Sequence, residues 1–239
     1  MPIGYAHRGF APDGGENSLA AFQAAVDLGY THLETDARVT ADGIAVAFHD
    51  ATLDRVTNST GTLARLSWKE VAPARIAGRH PIPPLADLLD AFPDCYFNID
   101  VKSDAAVGPT LDVLRRTRSW ARVRLASFSH RRLALLRAVA GPGVATTLSP
   151  GEVLALLAGR FRPPRQAIAA QVPAGWSRLA LVDERFVDRA HALRVEVHVW
   201  TVNQPGEMRR LLDLGVDALI SDRADVLRDV LAERGAWPK

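Results

Sequence analysis

Ionisable and aromatic side chains stand at the ends of segments whose hydrophobic pattern predicts β-strands. Those suited to chemistry are His7, Arg8, Glu34, Asp36, His49, Asp50, Asp100, Lys102 and Trp200. A protein that only filled its core would place Val, Ile or Leu at most of these positions. Ligands of parallel α/β proteins bind beyond the carboxyl ends of the strands. The set therefore predicts an active site.

Three carboxylates are predicted to meet at one point. Side chains at positions i and i+2 of a strand share a face, so Glu34 and Asp36 point the same way. Asp100 and Lys102 share a face for the same reason. Carboxylates held this close repel one another unless a cation lies between them. Oxygen ligands suit a hard cation, so the three acids predict a site for Mg²⁺ or Ca²⁺.

Two histidines and two basic side chains accompany the carboxylates. Imidazoles titrate near neutral pH, so one of His7 and His49 can accept a proton while the other donates one. Arg8 and Lys102 bring positive charge for a phosphate, which arginine can bind with two hydrogen bonds. A base for a hydroxyl nucleophile, an acid for the leaving alkoxide and a cation that offsets phosphoryl charge together predict cleavage of a phosphodiester.

An alternation of strands and helices must position these residues. Eight strand–helix units can be counted if the extended stretch Ile44–Phe48 is taken as an extension of the second unit. Alternation of this length predicts a parallel sheet, and eight units predict closure into a (β/α)8 barrel. An open doubly wound sheet is the alternative, but no Gly-rich phosphate loop follows the first strand. The predicted strands are Ile3–His7, Thr31–Asp36, Tyr96–Val101, Val123–Ser127, Val144–Leu148, Ala167–Gln171, Val195–Val202 and Ala218–Ser221.

Length and composition agree with one large domain. The chain has 239 residues, of which 48% are hydrophobic, and α/β barrels routinely take ~200–250 residues. Charges of both signs are interspersed and the formal net charge is +2, so no nucleic-acid partner is indicated. Cys95 is the only cysteine, which excludes an internal disulfide. Without a secretory signal or a long apolar run, we expect a cytoplasmic protein with no stable membrane insertion.

The ordered motifs resemble those of the glycerophosphodiester phosphodiesterases. The resemblance extends along essentially the whole chain. Its motifs are Ala6-His7-Arg8-Gly9, Glu16-Asn17-Ser18, Leu33-Glu34-Thr35-Asp36-Ala37-Arg38, Phe48-His49-Asp50, Leu53-Asp54-Arg55-Val56-Thr57-Asn58, Gly61-Thr62-Leu63, Ile82-Pro83-Pro84-Leu85, Asn98-Ile99-Asp100-Val101-Lys102, Trp200-Thr201-Val202-Asn203, Gly215-Val216-Asp217 and Ser221-Asp222-Arg223.

The resemblance implies a single TIM-barrel domain over residues 1–239, with a small insertion at about 51–82 after the second strand. It implies that Glu34, Asp36 and the third-strand acid bind a divalent cation, and that the two histidines are the acid–base pair. The implied reaction begins with attack of the free glycerol hydroxyl on the phosphate. The head-group alcohol leaves, and water opens the cyclic phosphate to sn-glycerol 3-phosphate. The third acid is usually Glu and here is Asp100, while Ser18 and Ser221 stand where Thr is common.

Two other functions are compatible with the sequence. A lipid-directed relative, such as a lysophospholipase D or a sphingomyelinase-D-like enzyme, would use the same barrel with an apolar platform around its mouth. A barrel that binds a phosphodiester without cleaving it is the third hypothesis. The substrate is in each case a small-molecule phosphodiester, and the sequence indicates no oligomeric state.

Several site residues also have ordinary structural explanations. Asn17 either supports the first loop or caps a helix, and Asp50 either orients His49 or caps a turn. Trp200 either lines the substrate pocket or packs in the core, and His198 on the same face is expected to be structural.

The charged residues have a structural alternative as well. Lys102 either contacts substrate or only pairs with Asp100, and the two acids of the second strand could form ion pairs with Arg8 and Arg38.

Overall fold

Eight parallel strands close into a barrel, which confirms the predicted (β/α)8 architecture. The structure is a computed structural model that describes residues 1–159, 161–176 and 179–237. Strands follow the chain order around the barrel, and the first pairs with both the second and the last. The strands are β1 (Ile3–His7), β2 (His32–Val39), β3 (Tyr96–Val101), β4 (Val123–Ala126), β5 (Ala145–Thr147), β6 (Ala167–Pro173), β7 (Glu196–Trp200) and β8 (Ala218–Ser221).

A ring of helices surrounds the barrel and covers the outward faces of its strands. Many of these helices begin at a side chain that accepts a backbone N–H, such as Ser18, Ser129, Ser149 and Asp183. The main hydrophobic core lies between the strands and this ring. The helices are α1 (Leu19–Asp27), α2 (Leu85–Ala91), α3 (Val107–Arg116), α4 (His130–Ala140), α5 (Pro150–Leu157), α6 (Glu184–Ala192), α7 (Pro205–Asp213) and α8 (Ala224–Glu233). Within the described ranges, no helix has both the length and the apolar character needed to cross a membrane.

The segment between β2 and α2 forms a small unit beside the barrel mouth. Its first part, Ala45–Ala47, pairs antiparallel with the end of β2, so this stretch turns back along β2. The remainder contains the short helix Trp68–Val71 and a hairpin of Arg75–Ile76 with His80–Pro81. These pieces enclose a second hydrophobic cluster formed by Val46, Phe48, Leu53, Leu63, Val71, Ala74, Ile76 and Ile82.

A cluster of polar side chains around Arg124 lies inside the barrel. Arg124 donates to the Tyr5 hydroxyl at 3.3 Å and to Glu196 Oε2 at 2.8 Å, and it lies 3.1 Å from the ring nitrogens of His198. His198 is fully buried and also contacts Glu196 at 3.0 Å. The structural role expected for His198 therefore agrees with its surroundings, since buried polar groups need such partners.

We predict that His32 in this interior makes stability pH-dependent. Burial and the positive charge of Arg124 lower the pKa of His32 to about 4. Above about pH 6.5 the His32 ring is neutral in both the folded and the unfolded state, so it does not change the free energy of unfolding. As the pH falls from about 6.5 toward 4, the unfolded chain takes up the proton and the folded protein does not, so the free energy of unfolding falls. His32→Phe keeps the ring contacts with Tyr5 and Tyr96 but cannot titrate.

Urea unfolding at pH 7 and pH 5 measures this effect. Between pH 7 and pH 5, the free energy of unfolding of the wild type should fall by roughly 1 kcal/mol more than that of His32→Phe. This value is already reduced for the partial exposure of the ring. His80→Phe, which alters a histidine of the hairpin, is the control. Equal losses in wild type and His32→Phe would disprove the assignment.

Candidate active site

The loop between β1 and α1 turns sharply and leads Arg8 into a cavity at the barrel mouth. Arg8 and Asn17 have positive φ angles of 54° and 60°, and Gly9 has a φ of 82°. A Cβ on Gly9 would lie 2.6 Å from the backbone carbonyl carbon of Ala21, so only glycine fits there. Left-handed residues other than glycine are costly and concentrate at functional sites. This loop conformation directs Arg8 toward the cavity and Asn17 toward Asp36.

His7 ends β1 with both ring nitrogens facing carboxylates. Nδ1 lies 2.6 Å from Asp222 Oδ1, and Asn203 donates to the other Asp222 oxygen at 2.9 Å. Nε2 lies 3.7 Å from Glu34 Oε2. Burial pushes the pKa of His7 down, but the negative charges of Glu34 and Asp222 outweigh it and raise the pKa above its usual value. Because a carboxylate accepts from Nδ1–H, Nε2 is the nitrogen that faces the site.

His49 follows the antiparallel strand and has the same kind of partner. Its Nδ1 lies 2.6 Å from Asp50 Oδ1, and its backbone carbonyl accepts from Arg38 Nε at 2.6 Å. The hydrogen bonds from Arg55 and from the His49 ring lower the pKa of Asp50 to about 2. Asp50 is therefore an anion at neutral pH, and it fixes the orientation of the His49 ring.

The predicted metal carboxylates lie on neighbouring strands. Asp36 of β2 stands opposite Asp100 of β3 in the strand register. Lys102 lies between them, with Nζ 2.8 Å from Asp36 Oδ1 and 2.5 Å from Asp100 Oδ2. Burial raises the pKa of Asp36, but Lys102 and Arg8 outweigh it and hold that pKa below its usual value. Lys102 thus shares its one positive charge between two buried acids.

Asn17 contacts Asp36 but does not line the cavity. Its side-chain N–H donates to Asp36 Oδ2 at 3.0 Å, and its Oδ1 accepts from the Thr35 hydroxyl at 2.7 Å. Arg8 Nε lies 3.1 Å from the same Asp36 oxygen. Asn17 does not cap the helix, because Ser18 does.

The pKa values of Glu34 and Asp100 are raised, which indicates that nearby positive charge does not fully compensate for their burial. Burial, and then the neighbouring negative charge of Asp36, raise the pKa of Glu34 to about 7. Burial also raises the pKa of Asp100 despite its contact with Lys102. Asp100 Oδ1 is buried and has no hydrogen-bond partner in the described part of the chain. Buried oxygens of this kind are normally satisfied, so this one is available to a ligand.

A hard cation fits these donors in type, although the side chains do not form a ready cage. Among the described residues, no three His, Cys, Asp or Glu side chains are arranged to hold a metal. The Lys102 ammonium instead bridges Asp36 and Asp100, where a cation shared by the two acids would have to compete with it. By ligand type, Glu34, Asp36 and Asp100 are the residues that would hold Mg²⁺ or Ca²⁺, in competition with the Lys102 ammonium.

The cavity has a volume of about 350 Å³ and two chemically different walls. The strands β1 to β3 and the segment after β2 provide a charged wall. The strands β4, β5, β7 and β8 and the residues after them provide a mainly apolar wall, in which Ser127, Thr147 and Thr201 are the polar members. Its apolar side chains are Ala126, Phe128, Leu148, Pro150, Trp200 and Ile220. Phe128 is 58% exposed and meets Trp200 edge-on at 5.3 Å between ring centres. A hydrogen-bonded amide pair, Asn98 with Gln171, closes the floor. This cavity can take a ligand that is anionic at one end and less polar at the other.

Most of the residues predicted from the sequence lie together. Those that line the cavity are His7, Arg8, Glu34, Asp36, His49, Asp100, Lys102 and Trp200. Asn17 and Asp50 lie behind it, on Asp36 and His49 respectively. Of the two expected arginine partners of the β2 acids, Arg8 lies on Asp36, whereas Arg38 donates to a backbone carbonyl.

Sequence reasoning assigned no role to several residues that shape the site. Asp222 and Asn203 orient His7, and Phe128 and Gln171 line the cavity. Asn203, Phe128 and Asp222 all follow a barrel strand directly or within a few residues. That position was the available signal, since residues beyond strand ends converge at the mouth.

Comparison with known proteins gives one consistent result. The family model for the glycerophosphoryl diester phosphodiesterase family matches residues 7–226. A Mycobacterium tuberculosis protein named "Probable glycerophosphodiester phosphodiesterase 2" is 39% identical, with 98% of this chain and 92% of that protein covered. The human protein named "Lysophospholipase D GDPD1" is 25% identical over 94% of this chain and 84% of its own length.

Solved structures share the fold. A glycerophosphodiester phosphodiesterase from Agrobacterium tumefaciens superposes with a TM-score of 0.83 at 22% identity, covering 97% of this chain and 100% of that one. An Oleispira antarctica phosphodiesterase in complex with the product sn-glycerol-3-phosphate gives 0.81 at 20% identity, covering 97% of each chain.

Proposed function

Because this chain belongs to the glycerophosphoryl diester phosphodiesterase family, we propose that it hydrolyses glycerophosphodiesters by two-histidine acid–base chemistry supported by a divalent cation. Its assignment as a phosphodiesterase rests on the family match over residues 7–226 and on the 39% identical relative. The products of the proposed reaction are sn-glycerol 3-phosphate and an alcohol.

One observation carries the proposal. Two histidines, each with Nδ1 2.6 Å from an aspartate, line the same cavity as three buried carboxylates. Aspartate partners fix the tautomer and leave each Nε2 free for proton transfer. This arrangement argues against a barrel that binds a phosphodiester without cleaving it, because a passive site would not need two oriented imidazoles.

The charged wall would hold the phosphate. Arg8 and Lys102 both line the cavity and supply the positive charge. One histidine takes the proton of the glycerol hydroxyl that attacks phosphorus, and the other protonates the oxygen of the departing alcohol. In the second step the two histidines exchange roles. One takes a proton from the water that attacks the cyclic phosphate, and the other protonates the glycerol oxygen that leaves phosphorus. Glu34, Asp36 and Asp100 would hold the cation, which when bound would offset negative charge on the phosphoryl oxygens.

A lysophospholipid is the second candidate substrate, and the apolar wall favours it. Phe128 is more than half exposed beside Trp200, so an alkyl or acyl chain could lie against these rings at the mouth. The similarity to a protein named lysophospholipase D points the same way. The two candidates share the phosphate chemistry and differ in what the apolar wall contacts.

A substrate panel tests the proposal. Glycerol 3-phosphate release is measured from small glycerophosphodiesters and lysophosphatidic acid release from lysophospholipids, each with EDTA and with added Mg²⁺ or Ca²⁺. Metal-dependent release of glycerol 3-phosphate supports the main proposal. Release of lysophosphatidic acid alone would replace it with the lipid-directed activity. Cation binding without turnover of any substrate would overturn both.

A further inference from the structure

Arg55, in the segment that follows β2, joins two carboxylates with its forked guanidinium. Nε and Nη2 donate to the two oxygens of Asp50 at 2.5 and 3.1 Å. Nη1 and Nη2 donate to the two oxygens of Glu16 at 3.2 and 2.7 Å. Both contacts are bidentate, which is the geometry that makes arginine pairs strong and directional.

Each of these carboxylates also holds a residue of the cavity. Asp50 Oδ1 lies 2.6 Å from the His49 ring, and Glu16 Oε1 accepts from Arg8 Nη1 at 3.0 Å. Contacts therefore run without a break from His49 through Asp50, Arg55 and Glu16 to Arg8. Of these five residues, only the two ends line the cavity.

We propose that Arg55 is a positioning residue that sets His49 relative to Arg8, and so aligns a proton-transfer group with the phosphate-binding group. The inference rests on the proposed function, because His49 and Arg8 matter as a pair only if a phosphodiester lies between them. Residues that hold reacting side chains in place commonly govern activity without touching the substrate.

Folding of this segment rests mainly on its hydrophobic cluster and on the turn that contains Arg55, whose side chain is 49% exposed. The turn around it is fixed by Leu53, which is buried and donates to the Gly61 carbonyl at 3.0 Å. Thr57 adds hydrogen bonds to the Leu53 carbonyl from its backbone N–H at 3.1 Å and its hydroxyl at 2.8 Å. The loss of Arg55 should therefore affect alignment more than folding.

Lysine cannot replace arginine in this role. An ammonium is a compact point charge, whereas the guanidinium spans both carboxylates with a planar set of donors. Arg55→Lys should therefore behave more like Arg55→Met than like the wild type. An arginine that only supplied charge to this surface would be replaced by lysine without loss.

Steady-state kinetics on the substrate that the wild type hydrolyses provide the first test. Arg55→Met is expected to lower kcat/KM about 10- to 100-fold, with a fall in kcat through His49 and a rise in KM through Arg8. Asp50→Asn should reproduce mainly the first effect and Glu16→Gln mainly the second. Adding Arg55→Met to the Asp50→Asn, Glu16→Gln double variant should cost little more, since residues of one network are non-additive.

The control is Arg65→Met, which removes an exposed arginine that makes no ion pair within the described residues of the same segment. Kinetics of Arg55→Met that match those of wild type and Arg65→Met would overturn the proposal while leaving the phosphodiesterase activity in place. Wild-type inactivity on all phosphodiesters would instead remove the proposed function.

A spectroscopic readout needs no substrate. Ring ¹⁵N resonances of histidine, with the His49 signal identified from a His49→Gln variant, report the hydrogen bond at Nδ1. The His49 signals should shift in Arg55→Met and stay unchanged in Arg65→Met, while the signals of His7 stay unchanged in both. An unchanged His49 signal in Arg55→Met would contradict the proposal whatever the substrate is.

Discussion

Replacing either His7 or His49 with alanine is expected to lower kcat by about 10²–10⁴-fold, because each would remove one proton transfer at the phosphate. His7 is the last residue of β1 and His49 follows the antiparallel strand, and both side chains line the cavity. The partner carboxylates Asp50 and Asp222 reach solvent, so they can be rehydrated in the variants. Both proteins should therefore fold and melt close to the wild type.

Turnover of the best substrate of the panel and thermal unfolding are measured together. His191→Ala is the control, since His191 lies on α6 with Asp217 as its partner and does not line the cavity. The double variant His7→Ala, His49→Ala should be far less impaired than the product of the single effects, as expected for groups that act in one reaction. Normal activity in either single variant would disprove the acid–base assignment.

The strand positions could be predicted because each strand of a barrel is a short apolar segment between turn signals. Bounds for β1, β3 and β8 agree with the structure, and most other strands differ by one or two residues at their ends, while β2 ends three residues later than predicted. The polar side chains at the strand ends could be predicted as a site because barrel geometry brings those ends together. Glu34, Asp36 and Asp100 needed only that rule and the alternation of side chains along a strand.

The partners of the site residues could not be predicted in this way. His7 and Asp222 are 215 positions apart in the sequence, and they meet only because the last strand closes the barrel against the first. The contact of Arg55 with Glu16 depends on how the segment after β2 folds over the first loop. That segment lacks a regular period, and its compact form comes from a small cluster around Phe48 and Ile76. Contacts of this kind are set by packing rather than by local pattern.

Removing divalent cations with EDTA is expected to lower activity at least about 100-fold, with recovery on adding Mg²⁺ or Ca²⁺. The reason lies in the carboxylates. Glu34 has a pKa of about 7, so without a cation it holds a proton for much of the time near neutral pH, and a bound cation would displace that proton. Calorimetry in buffers of different ionisation enthalpy should detect proton release on cation binding. Activity that is indifferent to chelation would remove the metal from the proposal.

We expect Lys102 to compete with the proposed cation for two of its carboxylates. Its ammonium contacts both Asp36 and Asp100, so a cation shared by these acids would have to displace it. Lys102→Met removes the ammonium from Asp100 and leaves Asp36 with Arg8 as its counter-charge. The variant should therefore bind Mg²⁺ or Ca²⁺ about 10-fold more tightly than the wild type in the absence of substrate.

The same substitution should lower kcat/KM, because the displaced ammonium is the group proposed to hold the phosphate. Lys69→Met, at an exposed position outside the cavity, controls for the change in net charge. Tighter cation binding together with slower turnover would separate the two roles of Lys102. Unchanged or weaker cation binding in Lys102→Met would mean that the cation does not compete with this lysine, and that Asp36 and Asp100 are not shared ligands.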